Sequence, residues 1–425
     1  MTPGGHQTPP PALTPDRVPA GVRSVVDRLS GAGHEAYLVG GCVRDLVAGR
    51  DPLDWDVATE ALPAEVQRLF KKVIPTGIAH GTVTVLVPGG HVEVTTYRVE
   101  AGYADGRRPD RVEFRRDLEE DLARRDFTIN AMAYDPRGNR FRDPFGGLPD
   151  LGRRLVRSVG DASARFAEDG LRPLRAVRFA TVLAFDLHPD TEAAIPGALE
   201  VFGKVSPERV RDELQKLLLA PGVERGLTLL ESTGLLAAAL PQLSLPLPAG
   251  AVARVAGVPG RLEVRLAALL LDRPEPEAEA VLARLRLPTR TVDEVRALLA
   301  HPLPPGAVRW TDADARRWAA ALGAERVGDG LALARAAGRP GMDGVQAQLE
   351  RVLASRPPLT VRDLALDGRE VMELLGIGPS PLVGEATRWL LEQALDAPER
   401  NSKDVLAEAL LAWARDRGLK RGPSP

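Results

Sequence analysis

Residues 38–56, LVGGCVRDLVAGRDPLDWD, read as the end of a strand, a paired-glycine turn, a short helix and a second strand carrying two aspartates. Residues 36–39 are an apolar run of strand type. Gly40 and Gly41 permit a tight turn and close backbone approach to a ligand. Residues 42–48 predict a helix whose free N–H groups and dipole face that turn, a setting that suits a triphosphate. Asp54 and Asp56 are expected on the second strand, with Trp55 and Val57 pointing the other way. Residues i and i+2 of a strand share a face roughly 7 Å apart, so these carboxylates can converge on two divalent ions about 4 Å apart. Ions so placed activate an attacking hydroxyl and stabilise a leaving pyrophosphate, the chemistry of nucleotidyl transfer. Alone, a Gly-Gly is ordinarily a turn and an Asp-x-Asp a solvated edge; their order and spacing together carry the reading. No G-x-x-x-x-G-K-[ST] occurs, which excludes a P-loop.

Gly40, Gly41, Arg44 and Asp45 with Asp54 and Asp56 resemble the signature of the polymerase-beta-like nucleotidyltransferases. Residues 124–131, RRDFTINA, narrow the resemblance to the class II tRNA nucleotidyltransferases and bacterial poly(A) polymerases, and residues 168–179, EDGLRPLRAVRF, resemble that family's nucleotide-selecting helix. The match runs in order through roughly the first half of the chain and returns near the C-terminus.

The 425 residues hold two or more domains with ample core. A net charge of -2 means that nucleic-acid binding must rely on local basic patches. The single cysteine, Cys42, excludes a disulfide framework and fits a reducing cytoplasm, so a cytoplasmic location is expected. No apolar run reaches spanning length, and no membrane association is expected. The expected fold class is α+β: an N-terminal polymerase-beta-like head, with a small mixed sheet and helices, followed by an all-helical neck, body and tail. Residues 1–16, rich in proline and small residues, are expected to be a disordered tail, 17–148 the catalytic head, 149–225 the neck with the selecting helix, 226–355 the body and 356–425 a tRNA-binding tail. Residues 83–87 and 92–97, joined by Pro88, Gly89 and Gly90, predict a hairpin in the head sheet. Beyond residue 150, Leu, Ala, Glu and Arg recur at helical spacing.

Further residues bear on chemistry. Glu93 lies opposite in parity to Val92 and Val94, with Thr95 and Tyr97, and is either a third catalytic carboxylate or an exposed strand residue. Arg125 offers a fixed fork to a phosphate or ribose, while Asp126 or Thr128 can cap the following helix. Asp169, Arg172, Arg175 and Arg178 are spaced by three, so neighbouring pairs are adjacent on a helix. Asp169 accepts and Arg172 donates, a complement to the Watson-Crick edges of cytosine or adenine; the plainer alternative is an N-cap aspartate followed by a solvated arginine face. Pro173 then falls in the first turn, where N–H groups have no helical partner. The resemblance implies that Asp169 and Arg172 select CTP and then ATP, that Gly41, Arg44, Arg125, Arg175 and Arg178 bind the nucleotide, and that Asp54 and Asp56 hold two Mg2+ ions.

Residues 76–85, TGIAHGTVTV, and 364–405, including LGIGPSPLVGE at 375–385, are similar to the tRNA enzymes rather than the poly(A) polymerases. The latter segment would hold the tRNA elbow, with the acceptor arm in the head, and Arg415, Arg417, Lys420 and Arg421 could add phosphate contacts. Residues 265–272, RLAALLLD, resemble the start of a metal-dependent phosphohydrolase domain, but Leu271 stands where its histidine should be, so phosphatase activity is not expected. Residues 101–114, AGYADGRRPDRVEF, match the loop that CC-adding members lack. CCA addition from CTP and ATP and A-only addition both remain open. A tRNA-binding protein without catalysis is a different class of reading, opposed by the intact Asp54 and Asp56.

Overall fold

The computed structural model describes residues 7–101, 111–114, 117–303 and 309–419. Residues 102–110 of the loop read at 101–114, and Lys420 and Arg421, lie outside the described residues. Two compact units form: Met1–Pro246 with Glu275–Arg286, and Leu247–Pro274 with Leu287–Pro425. The expected body, residues 226–355, is divided between them: residues 226–246 and 275–286 fall in the first unit and the remainder in the second.

The first unit contains the head. Its seven-stranded sheet has the order β3-β4-β5-β2-β1-β8-β9, where β1 is Ala36–Val39, β2 Asp56–Thr59, β3 Val73–Gly77, β4 Thr82–Val87, β5 Gly90–Thr96, β8 Ala133–Asp135 and β9 Arg140–Arg142; β6 (Arg98–Ala101) and β7 (Arg111–Phe114) pair separately. The sheet is mixed, because β2 runs parallel to β5 and antiparallel to β1. The predicted hairpin is present, with Val87 opposite Gly90 across Pro88 and Gly89. Alternation decides the layers. Leu38, Val57, Val83, Val85, Val92 and Val94 are buried on the side of α1 (Ala20–Gly31), which contributes Val22, Val25, Val26 and Leu29. Tyr37, Val39, Ala58, Tyr97 and Ala133 join Leu118 and Leu122 in a second cluster. That cluster covers one end of the carboxylate-bearing face.

The expected disordered tail is in part ordered. Gln7 N–H donates to Phe141 O at 3.0 Å, and Leu13 is only 1% exposed. Prolines limit what the unfolded segment can gain in entropy, so one buried leucine and a few hydrogen bonds suffice to hold it.

After the head come α6 (Ala162–Glu168) and α7 (Arg172–Leu183), then the helices Pro207–Leu219 and Val223–Ser232, which pack on α7. Gly226 permits that approach, since a Cβ there would lie 2.6 Å from Thr181 Oγ1. The second unit is helical. Its C-terminal segment joins Gly368–Leu375 to Pro381–Asp396 through Gly376 at φ 65, and Leu375, Leu390, Leu406, Leu410 and Trp413 form its core. Asp272, beside Leu271, pairs with Arg254 at 2.7 Å. Arg417 pairs with Glu385 at 2.9 Å and lies 4.4 Å from the Trp413 ring, so it serves the tail's own packing.

Candidate nucleotidyl-transfer site

The paired-glycine turn forms as expected. Gly40 has φ 76 and precedes α2 (Gly41–Val47). A Cβ on Gly40 would lie 3.0 Å from Arg125 Nη1 and 3.3 Å from Asp56 Oδ2, so the glycine lets a guanidinium and a carboxylate meet across the turn. Gly40→Ala combines this crowding with a strained backbone; we expect a stability loss of about 1–3 kcal/mol and a larger fall in single-turnover transfer than the change in Tm implies.

Asp56 opens β2 directly opposite Glu93 of β5. Asp54 departs from expectation: it lies in the bend before β2, exposed, because the strand starts only at Asp56. The shared-face argument therefore does not place Asp54. Proximity does, since Asp54 and Glu93 both act on the Asp56 carboxyl. Burial pushes that carboxyl up to about 6; Arg125 opposes this, and Glu93 and Asp54 add like-charge repulsion. Glu93 is exposed on the same face as Thr95. Cys42 is buried behind the turn, and burial pushes its thiol up to about 12, so it is no nucleophile here.

All three carboxylates are hard oxygen donors, which fits Mg2+. Among the described residues no group of three His, Cys, Asp or Glu side chains is close enough to hold a metal by itself.

RRDFTINA builds the opposite wall. Arg124 and Arg125 pair with buried Asp121 at 2.7 and 3.2 Å, and Arg125 Nε is buried without a hydrogen-bond partner among the described residues. Neither Asp126 nor Thr128 caps a helix in the expected way. Phe127 precedes the single turn Thr128–Asn130, and Thr128 Oγ1 donates to Asp150 at 2.7 Å. Asp126 instead accepts from Phe127 N–H at 2.8 Å, from Asn130 Nδ2 at 3.1 Å and from Arg175 at 2.5 and 3.0 Å. Burial would raise its carboxyl, yet these donors hold it down at about 2. Asn130 Oδ1 takes Arg44 Nη1 at 2.8 Å, and Arg44 also grips Asp45 at 2.9 Å. Arg44, Arg175 and Arg178 lie 5.5, 5.5 and 3.5 Å from the Phe179 ring, which anchors all three.

The selecting segment is not one helix. Asp169 is the residue after α6, with φ -136 and ψ 106, and α7 begins only at Arg172, so three-residue spacing relates Arg172, Arg175 and Arg178 but not Asp169. A Cβ on Gly170 would meet Val201 O at 2.6 Å, so glycine is required where the chain passes from α6 to α7. Asp169 does not cap α7, whose N-cap is Leu171; its carboxylate takes Leu171 N–H at 3.0 Å and Arg209 at 2.8 and 3.1 Å. Arg172 is on no solvated face. It is 7% exposed and donates to Glu168, Arg165 O and Arg124 O at 2.6 to 2.8 Å. Arg178 is buried against Glu213 at 2.7 Å. Asn130, Phe179, Arg209 and Glu213 were not singled out in the sequence. Asn130 sits inside a quoted motif, whereas Arg209 and Glu213 lie 40 and 35 residues from their partners and carry no local signal.

A mixed-sheet head with an acidic strand end, a glycine turn and a wall of arginines defines a nucleotidyltransferase. Residues 36–157 match the poly A polymerase head domain, and residues 184–245 match the probable RNA and SrmB-binding site of polymerase A. The CCA-adding enzyme of Geobacillus stearothermophilus is 39% identical over 401 residues, spanning 93% of this chain and 96% of its own. The crystal structure of the Bacillus stearothermophilus CCA-adding enzyme in complex with CTP aligns with a TM-score of 0.78 at 37% identity, over 94% of this chain and 98% of that one. The Thermotoga maritima CCA-adding enzyme complexed with tRNA shares the fold, with a TM-score of 0.66 at 21% identity over 94% and 97% of the two chains. The chain belongs to the CCA-adding enzyme family of nucleotidyltransferases. Among the described residues no helix is long and apolar enough to cross a membrane.

Proposed function

We propose that this chain adds cytidylate and adenylate to the 3′ end of tRNA, completing CCA from CTP and ATP without a nucleic-acid template. The observation that carries the reading is the meeting of Asp56, Glu93, Gly40 and Arg125 at one end of the sheet, in a chain alignable along nearly its whole length with a CCA-adding enzyme. The tRNA 3′-hydroxyl attacks the α-phosphate, and pyrophosphate leaves. Asp54 and Asp56 would hold Mg2+, which when bound lowers the hydroxyl pKa and neutralises phosphate charge. Glu93 completes the acidic face. The Gly41 backbone, Arg44 and Arg125 receive the triphosphate, and Arg175 faces it from α7. Arg178, committed to Glu213, orients Arg175. Asp169 offers an acceptor to the base, and Arg172 only those N–H groups not taken by Glu168, Arg165 O and Arg124 O, with tRNA held mainly by backbone and shape.

Three tRNAs, ending before CCA, after C and after CC, each given CTP or ATP alone, test the reading. CTP incorporation on the first two and ATP on the third is the expected result. ATP on the CC-ended substrate alone would select A-only addition, and no incorporation at all would leave a binding protein.

For nucleotide choice, Asp169→Asn is the cleaner variant, because Arg172→Ala would also strip a donor from Glu168, Arg165 O and Arg124 O, all part-buried, and cost about 1–3 kcal/mol. We expect CTP and ATP preference over UTP and GTP to fall at least about 10-fold, read as incorporation ratios for all four nucleotides. Unchanged ratios with a lower Tm would reduce Asp169 to a partner of Arg209.

A further inference from the structure

We propose that Arg17, in the N-terminal segment, positions the loop that carries Asp54 and thereby sets how tightly the acidic face holds a divalent ion. This rests on the reading of Asp54 and Asp56 as metal ligands. The Arg17 guanidinium spans four acceptors: Nη1 donates to Leu46 O at 2.8 Å and Ala12 O at 3.2 Å, and Nη2 to Arg50 O at 3.1 Å and Asp51 Oδ1 at 3.3 Å. Leu46 is in the last turn of α2, and its carbonyl also accepts from Gly49 N–H at 3.0 Å, so Arg17 adds a second, charged donor at the helix C-terminus. Arg50 and Asp51 start the loop itself. Its far end is fixed by Glu93 N–H donating to Trp55 O at 2.9 Å.

Between these pins Leu53 is 96% exposed, and Trp55, at the far pin, is half-buried. Among the described residues no side chain is hydrogen-bonded to Asp54, so the loop backbone decides where its carboxylate sits. Polar ties at the two ends do much of what burial does elsewhere. Arg17 can act as a fixed post because its own segment is anchored independently: Leu13 and Val18 are each 1% exposed, and Gln7 pairs with Phe141. The segment also lies outside the residues matched to the polymerase domains, 36–157 and 184–245. Arg17 touches neither Asp54 nor Asp56 and is therefore a positioning residue. Groups that orient metal ligands are typically worth 10–100-fold in metal affinity.

The test is Mn2+ binding to the full chain with CTP and no tRNA, followed by electron paramagnetic resonance, for the unaltered chain, Arg17→Ala, Arg17→Lys and Asp54→Ala. Arg17→Ala should weaken Mn2+ binding about 10-fold, leave CTP binding without metal unchanged, and keep transfer within about 3-fold at saturating metal. Arg17→Lys, whose ammonium cannot span all four acceptors, should fall between, and it carries the test if Arg17→Ala does not fold. Mn2+ affinity within about 2-fold of the unaltered chain in the folded Arg17 variants, whatever their Tm, would overturn the proposal. Asp54→Ala separates the two failures: if it too binds Mn2+ normally, the metal reading of the loop is wrong; if it alone binds weakly, only the role of Arg17 is.

Discussion

Asp56→Ala is expected to abolish transfer of CTP and ATP to tRNA, by about 10³-fold or more, equal to several kcal/mol of lost transition-state stabilisation. Asp54→Ala should do the same. Fold and tRNA binding should remain near normal, because both side chains sit at the open end of the sheet and away from its core. Near-normal magnesium-dependent activity in both variants would end the assignment. Asp56→Asn adds a second readout. Its carboxyl is raised to about 6 by burial and by Glu93 and Asp54, above an unfolded value near 4. A raised carboxyl contributes stability that is complete below pH ~4 and lost as pH rises through about 6. At pH 8 the charged Asp56 therefore costs roughly 2 kcal/mol, after allowance for solvent at a half-buried group. In chelator, Asp56→Asn should melt higher than the unaltered chain at pH 8, and the gain should vanish by pH 4. An inactive variant more stable than its parent is the mark of a strained functional carboxylate. No gain at pH 8 would mean that the acidic face is unstrained without metal.

Asp126→Ala is the second large effect, and it acts on the fold. It strips the acceptor from Arg175, Asn130 Nδ2 and Phe127 N–H together. Removing one partner of a buried ion pair costs about 3–5 kcal/mol, and Arg175, about a third exposed, puts the expectation near 3. The damage reaches the site, because Asn130 also holds Arg44. The sign with pH is opposite to that of Asp56. A carboxyl depressed to about 2 contributes stability present above pH ~4 and lost as pH falls toward 2. The stability gap between the unaltered chain and Asp126→Ala should be full at pH 7 and narrow below pH 4, measured by urea unfolding across that range. A gap constant with pH would show that the lost contacts are not those of an ionised carboxylate.

Local pattern made much of this legible. Gly40 and Gly41 between an apolar strand and a short helix, and the Pro88-Gly89 turn between alternating strands, act over a few residues, where steric and period-two rules suffice. The same short range led to the errors. Three-residue spacing put Asp169 on the helix of Arg172, but α6 ends before Asp169 and α7 begins only at Arg172. Proline-rich composition suggested disorder for a segment that Leu13 holds in place. An i, i+2 rule placed Asp54 on a strand that begins two residues later.

The order of turn, helix and aspartates, and the arginines of α7, are thus written in consecutive residues, and so these elements and the family they resemble could be read before the fold. Which guanidinium is free to meet a phosphate could not. Arg178 is spent on Glu213, Arg172 on Glu168 and two carbonyls, and Arg175 is poised between Asp126 and Glu213. Several of those partners lie 35 to 49 residues away. A buried charge must find a counter-charge and hydrogen-bond acceptors wherever packing brings them, and that choice is made by helices meeting in space, which no periodicity along the chain records.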